Sequence, residues 1–97
     1  MSSYVYVLRC GDGSLYTGWT NDLEQRLAAH QSGKGAKYTR GRLPIEMVYF
    51  EEMPDKSAAL KRENELKKLK KAEKELLIKT SRLYIFSKSR PHAIMSR

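Results

Sequence analysis

β-Branched and aromatic residues dominate positions 3–20, where SYVYVLRC and SLYTGWT read as two strands separated by a Gly-rich turn. The length of that turn decides which side chains share a face. A two-residue turn at Asp12-Gly13 would pair Gly11 with Ser14 and put Tyr6 and Tyr16 on opposite faces. A three-residue loop, Gly11-Asp12-Gly13, pairs Leu8 with Tyr16 and Tyr6 with Gly18, and Gly13 suits the left-handed position such a loop needs. Paired residues point the same way. One face then carries Tyr4, Tyr6, Leu8, Tyr16 and Gly18; the other carries Val5, Val7, Leu15, Thr17 and Trp19. The second face is the expected core. The first is a row of phenols with space above it. The three-residue loop is preferred because it sorts the residues into these two sets.

The period then changes from strand to helix. Asn21, followed by Glu24, resembles a capping box, with Asn21 as cap. Leu23 and Leu27 make the inward stripe, and Gly33 ends the helix. IEMVYFEE (45–52) reads as a third strand after Pro44. Asp55 caps a second long helix whose apolar side is Ala59, Leu60, Leu66 and Leu69. A further helical stretch runs to about residue 79 after a break near Lys70-Lys71. The expected class is α+β, with a three-stranded antiparallel sheet flanked by helices. Residues 1–80 form one domain; 81–97 are a basic tail, with a short element at Leu83–Phe86 and disorder beyond Lys88.

Charge refines this picture. Residues 1–54 hold six Lys/Arg and six Asp/Glu; residues 55–97 hold thirteen against five, and so carry all of the net +8. Inside the neutral half, GKGAKYTRGR (33–42) has Lys34, Lys37, Arg40 and Arg42 and no acid. Clustered positive charge with a pI near 9.7 points to a polyanion. At 97 residues the chain buries only about 60–70% of its unfolded surface, so its core is modest. No apolar run approaches a membrane span, and MSSYVYVL lacks the layout of a signal peptide. Cys10 is alone, which suits a reducing, cytoplasmic setting. The only histidines, His30 and His92, make no zinc site with it.

Glu63 is out of pattern. It falls between Ala59, Leu60 and Leu66 on the inward side of its helix, where carboxylates need a partner. That partner can be an arginine, such as Arg26 or Arg62. It can also be a hard divalent cation, since Mg²⁺ takes one or two protein carboxylates and keeps several waters. Arg26 and His30 are four apart and share a helix face. Tyr6, Tyr16, Arg26, His30 and Glu63 can surround one phosphate. An arginine would bind its oxygens, a cation would polarise it, and a tyrosine with its pKa lowered by nearby positive charge would act as base toward water. Lys34, Lys37, Tyr38, Arg40, Arg42 and Lys67 would hold the flanking backbone, Tyr38 by stacking or merely packing.

These residues, in this order, resemble the GIY-YIG nuclease superfamily, and especially its small stand-alone bacterial members. Tyr4-Val5-Tyr6 stands as the first motif and Tyr16-Thr17-Gly18 as the second. Arg26 in NDLEQRLAAH, His30 one turn later, and Glu63 in AALKRENELKK follow, with KGAKYTRGRLP pointing to the stand-alone group. The resemblance spans about residues 4–79. It implies metal-dependent hydrolysis of a DNA phosphodiester with one Mg²⁺ or Mn²⁺ held by Glu63. It makes Tyr6 the general base assisted by His30, gives Tyr16 hydrogen bonds around phosphate or water, and gives Arg26 the developing charge. Two positions depart: Tyr4 replaces the opening glycine of the first motif, and Thr17 the central isoleucine of the second. Neither replaces a side chain with a chemical role. With no zinc finger or helix-hairpin-helix module attached, a bare domain is expected to bind weakly, or by structure rather than sequence.

DNA is the expected partner, RNA is not excluded, and neither a membrane nor an obligate protein partner is implied. The rival readings are a nucleic-acid-binding module of the same fold without useful turnover, and a membrane-surface protein using the basic helix 61–79. An inward glutamate favours the enzyme, because a pure binder has no need of it. Tyr4 is expected to be structural or substrate-lining, Trp19 core, Cys10 non-catalytic and His92 inert.

Overall fold

A computed structural model of the chain describes residues 2–89, with side-chain surroundings through residue 81. Three strands, β1 (Ser3–Arg9), β2 (Leu15–Thr20) and β3 (Glu46–Met53), form an antiparallel sheet in the order β2-β1-β3. Helix α1 (Leu23–Gln31) and a single turn, α2 (Lys37–Arg40), lie between β2 and β3. Helices α3 (Lys56–Lys67) and α4 (Lys71–Ser89) follow β3. This is the expected α+β arrangement. Among the described residues no helix is long and apolar enough to cross a membrane.

The hairpin has the three-residue loop. Tyr6 pairs with Gly18 and Leu8 with Tyr16. Gly13, at φ +86°, makes the left-handed step. Cys10 N–H donates to the Ser14 carbonyl at 2.9 Å, closing the loop. Gly11 meets the segment before β3 so closely that a Cβ there would stand 2.3 Å from the Leu43 carbonyl oxygen. Asp12 accepts from Arg42 Nε at 3.1 Å across the same contact.

The sheet buries both faces, which corrects the expectation of one open face. Val5 and Val7 pack with Ala59 and Leu66 of α3 and Ile78 of α4, and Leu15 and Trp19 flank them. On the other side Tyr6, Leu8, Cys10 and Ile45 are buried with Tyr16, Leu23, Leu27 and Met47. The physical reason is α1. Its Leu23–Leu27 stripe needs apolar cover, and the phenol face of the sheet supplies it. A bulge in β3 between the partners of Val7 and Leu8 lets Val48 and Tyr49 both enter the first cluster while Met47 joins the second. Tyr4 instead meets Phe50 edge to face at 6.3 Å.

Four local details differ from the sequence expectation. The cap of α1 is Asp22, not Asn21: Asp22 Oδ1 accepts from Gln25 N–H at 3.0 Å, and Thr20 Oγ1 accepts from Asp22 N–H at 3.1 Å, fixing an extended entry. Leu60 stays exposed rather than joining the apolar side of α3. The basic segment 33–42 contains the turn α2. Leu83–Phe86, expected as a separate element, continue α4, which runs through residue 80 to Ser89. Of the disorder expected beyond Lys88, Ser89 is instead helical; the rest, with the inert role given to His92, falls on residues 90–97, outside the described residues. Asp55 caps α3 as expected, accepting from Ala58 N–H at 2.8 Å.

Candidate active site

Four of the five expected site residues meet on the α1 face of the sheet. Tyr6 projects from the middle of β1 and is 1% exposed. His30, in the last turn of α1, is completely buried. The Tyr6 hydroxyl lies 3.1 Å from His30 Nε2, and Arg26 Nε, one helical turn earlier, donates to that hydroxyl at 3.4 Å. The Tyr16 ring packs 5.4 Å from His30 and 6.5 Å from Tyr6. Gly18 makes the arrangement possible. A Cβ on it would fall 2.6 Å from the Tyr6 hydroxyl oxygen.

The hydrogen-bond directions follow from valence. Thr39 Oγ1 lies 3.0 Å from the Ala36 carbonyl, which only accepts, so the threonine proton goes there. His30 Nδ1, 2.8 Å from the same Oγ1, must then donate. The neutral ring therefore carries its proton on Nδ1, and Nε2 accepts from the Tyr6 hydroxyl. Burial, and next the Arg26 charge, lower the His30 pKa, so the ring is neutral near pH 7.

Tyr6 does not have the lowered pKa expected of it. Burial raises it, and the Arg26 hydrogen bond and charge, which act downward, do not overcome that cost. In this state the phenol is protonated and donates to the imidazole nitrogen beside it. Arg26, always charged, is half-buried against the phenol.

Glu63 arrives from α3, whose Ala59 and Leu66 pack on the opposite side of the sheet. Its side chain is only 12% exposed, so the inward placement holds. Neither arginine considered from the sequence is its partner. Arg62 is committed to Glu51 at 2.9 and 3.0 Å and to Glu65 at 3.1 Å, and Arg26 to Tyr6. Glu63 instead pairs with Lys67 Nζ at 3.2 Å, one turn on. Its charge still reaches the Tyr6 phenol, where it acts to raise the pKa. The described residues contain no cluster of three or more His, Cys, Asp or Glu able to cage a metal. A largely buried carboxylate paired, among the described residues, to a half-exposed ammonium fits a Mg²⁺-type ion that keeps its waters, and does not fit a closed protein cage.

The expected backbone-binding residues divide. Lys34, Lys37 and Arg40 are exposed. Arg42 is engaged: it bonds Asp12, donates from Nη1 to the Tyr38 carbonyl at 2.7 Å, and lies 4.0 Å over the Tyr38 ring. Tyr38 stacks on Tyr16 at 5.8 Å and 25° yet stays 38% exposed, so it both packs and presents a rim. Lys67 is half exposed but bound to Glu63. A shallow pocket of about 300 Å³ beside them is lined by Asp12, Ser14, Tyr38, Lys71 and Lys74. The two lysines, on α4, extend the basic rim. Thr39 and Gly35 were not singled out from the sequence. They reach His30 across a turn, and no local periodicity signals that contact.

Sequence comparison agrees with this geometry. The family model described as the GIY-YIG catalytic domain matches residues 2–76. A UPF0213 protein of Natronomonas pharaonis is 56% identical over 75 residues, covering 77% of this chain and 88% of its own. A UPF0213 protein of Clostridium perfringens is 57% identical over 76 residues, covering 78% and 82%. The solution NMR structure of a UPF0213 protein from Bacillus halodurans superposes with a TM-score of 0.54 at 49% identity, covering 82% of this chain and 85% of that one. That of a protein from E. faecalis gives 0.58 at 46%, covering 86% and 88%. With four of the five expected site residues gathered on one face and the family model spanning most of the chain, this protein belongs to the GIY-YIG catalytic-domain family, in the group of small UPF0213 proteins.

Proposed function

We propose that this protein is a nuclease that hydrolyses phosphodiester bonds in DNA with the help of one divalent cation, Mg²⁺ or Mn²⁺, and serves DNA repair or processing. The carrying observation is the chain Arg26–Tyr6–His30, a phenol held between a permanently charged guanidinium and a neutral imidazole acceptor. The free, buried Cys10 suits a cytoplasmic setting.

The proposed chemistry runs as follows. Tyr6 gives its proton to His30 Nε2 and becomes the base. The phenolate oxygen takes a proton from water as the water oxygen attacks phosphorus. The P–O bond to the leaving sugar oxygen breaks; that oxygen takes a proton from solvent water, and the hydroxide so formed takes the proton from His30, restoring the neutral ring. Arg26 holds Tyr6 through one long contact, so its guanidinium can turn onto the phosphate and open the phenol to water. Tyr16 and Tyr38 shape the rim. Glu63 would hold the cation, displacing Lys67, and the bound ion would neutralise charge on the phosphate.

The test is cleavage of labelled single-stranded, duplex and branched DNA with Mg²⁺ or Mn²⁺. Glu63→Ala should lower the rate about 100-fold or more while DNA binding persists. Equal products at equal rates from wild type and Glu63→Ala would assign the activity to another site. Binding without any cleavage would leave the binding-module reading in its place.

A further inference from the structure

The segment after α1 was read from the sequence as a basic stretch that contacts the DNA backbone. Its small and neutral members do something else. Gly33, at φ +81°, turns the chain back toward α1. Gly35 then lies flat against His30: a Cβ there would stand 2.4 Å from Nδ1 and 2.7 Å from Cγ. The turn α2 carries Thr39, completely buried, onto the edge of the same ring. Thr39 spends its only proton on the Ala36 carbonyl at 3.0 Å, and its oxygen therefore faces Nδ1 at 2.8 Å as an acceptor.

We infer that Thr39 is a positioning residue: it holds His30 in the Nδ1-protonated tautomer, so that Nε2 stands unprotonated 3.1 Å from the Tyr6 hydroxyl and can take its proton. Without that acceptor, Nδ1 loses its partner in a dry site. The proton then moves to Nε2, where two donors would face each other across the Tyr6 contact. Tyr6 would turn its hydrogen away, and its proton would have no acceptor. The threonine thus acts through histidine on tyrosine without touching substrate. Its role follows from one requirement of valence and rests on two buried groups, so it does not depend on surface charge. Lys34, Lys37 and Arg40 of the same segment remain exposed for DNA, and the segment serves both tasks.

This inference deepens the nuclease reading, but its first test does not need turnover. Nitrogen NMR of ¹⁵N-histidine-labelled protein reports which ring nitrogen of His30 is protonated. In the wild type and in Thr39→Ser the Nδ1–H form should dominate. In Thr39→Val, which keeps the shape and loses the oxygen, the Nε2–H form should gain the majority. A wild-type ring protonated at Nε2, or a Thr39→Val ring still protonated at Nδ1, overturns the proposal even if the protein cleaves nothing. The second readout is kinetic. Thr39→Val should lower kcat about 100-fold at nearly constant KM, within the range of a positioned acid–base group. Thr39→Ser should stay within about 3-fold of wild type by the same measure. An active wild type whose Thr39→Ser variant is as slow as Thr39→Val would also sink it, because packing rather than the hydroxyl would then be at work.

Discussion

At the residue scale the least expected group is His30. A histidine four residues after an arginine on an apolar-striped helix is legible from spacing as a partner in phosphate chemistry. Its complete burial is not, because it needs Tyr6, 24 positions earlier, and Thr39, nine later, packed against the ring; its neutral state follows from that burial and from Arg26. Burial and Arg26 depress its pKa below the ordinary 6.5. The unfolded chain therefore binds the proton more readily than the folded one. Stability from this group is fully present above about pH 6.5 and is lost as pH falls through that value toward the lower folded pKa. Glu75, held down by its hydrogen bonds to Arg9, and Asp12, held down by Ser14, act in a separate window, below their ordinary values of 4.5 and 3.8. The melting temperature of the wild type should thus decline between pH 6.5 and 5. His30→Asn, destabilised overall, should show a flatter profile there. Parallel profiles in thermal melts across that range would mean His30 already titrates freely in the fold.

At the element scale, how much could be foreseen tracks how local the cause is. The hairpin register followed from the length of one Gly-rich loop, and the start of α3 from Asp55. The cap of α1 shifted by one residue because Thr20 fixes the entry through Asp22, a choice that Asn21 and Asp22 do not reveal side by side. An ideal wheel turns Leu60 inward, yet the buried residues of α3 are Ala59 and Leu66, and Leu60 stays exposed. The second apolar face of the sheet, and so the burial of Tyr6, came from tertiary packing against α1. Strand β2 bears the sharpest consequence. Its Gly18 leaves room for the Tyr6 hydroxyl, and an alanine methyl would stand 2.6 Å from that oxygen and 3.2 Å from the Tyr16 ring. Tyr6 is locked by packing on both sides and has little freedom to yield. Gly18→Ala should cost about 1–3 kcal/mol in denaturant unfolding. It should also lower cleavage by displacing the phenol from His30. A variant as stable and active as wild type would mean the phenol moves aside at no cost.

At the scale of the whole molecule the question is how +8 of net charge is divided between holding the fold and the proposed hold on DNA. Arg62 and Arg9 are spent inside: the first ties α3 to β3 through Glu51, and the second ties α4 to β1 through Glu75 at 2.7 and 2.9 Å. Arg42 belongs with them. It fastens the hairpin loop to α2 through Asp12 and the Tyr38 carbonyl and ring, although the sequence alone placed it with the DNA-binding set. Lys34, Lys37 and Arg40 have exposed side chains around the rim made by Tyr38. Each phosphate neutralised adds about 0.9 to the slope of log affinity against log salt. Replacing Lys34, Lys37 and Arg40 together by glutamine should flatten that slope by about 3. Arg42→Gln should change it by less than about 1, and should instead lower stability by about 1–2 kcal/mol through loss of its ion pair and ring contact. Fluorescence-anisotropy titrations over a salt series, beside thermal melts, separate the two roles. Should Arg42→Gln flatten the slope like a phosphate contact while leaving the melt unchanged, Arg42 lets go of Asp12 when DNA binds, and the loop contact is not part of the bound fold.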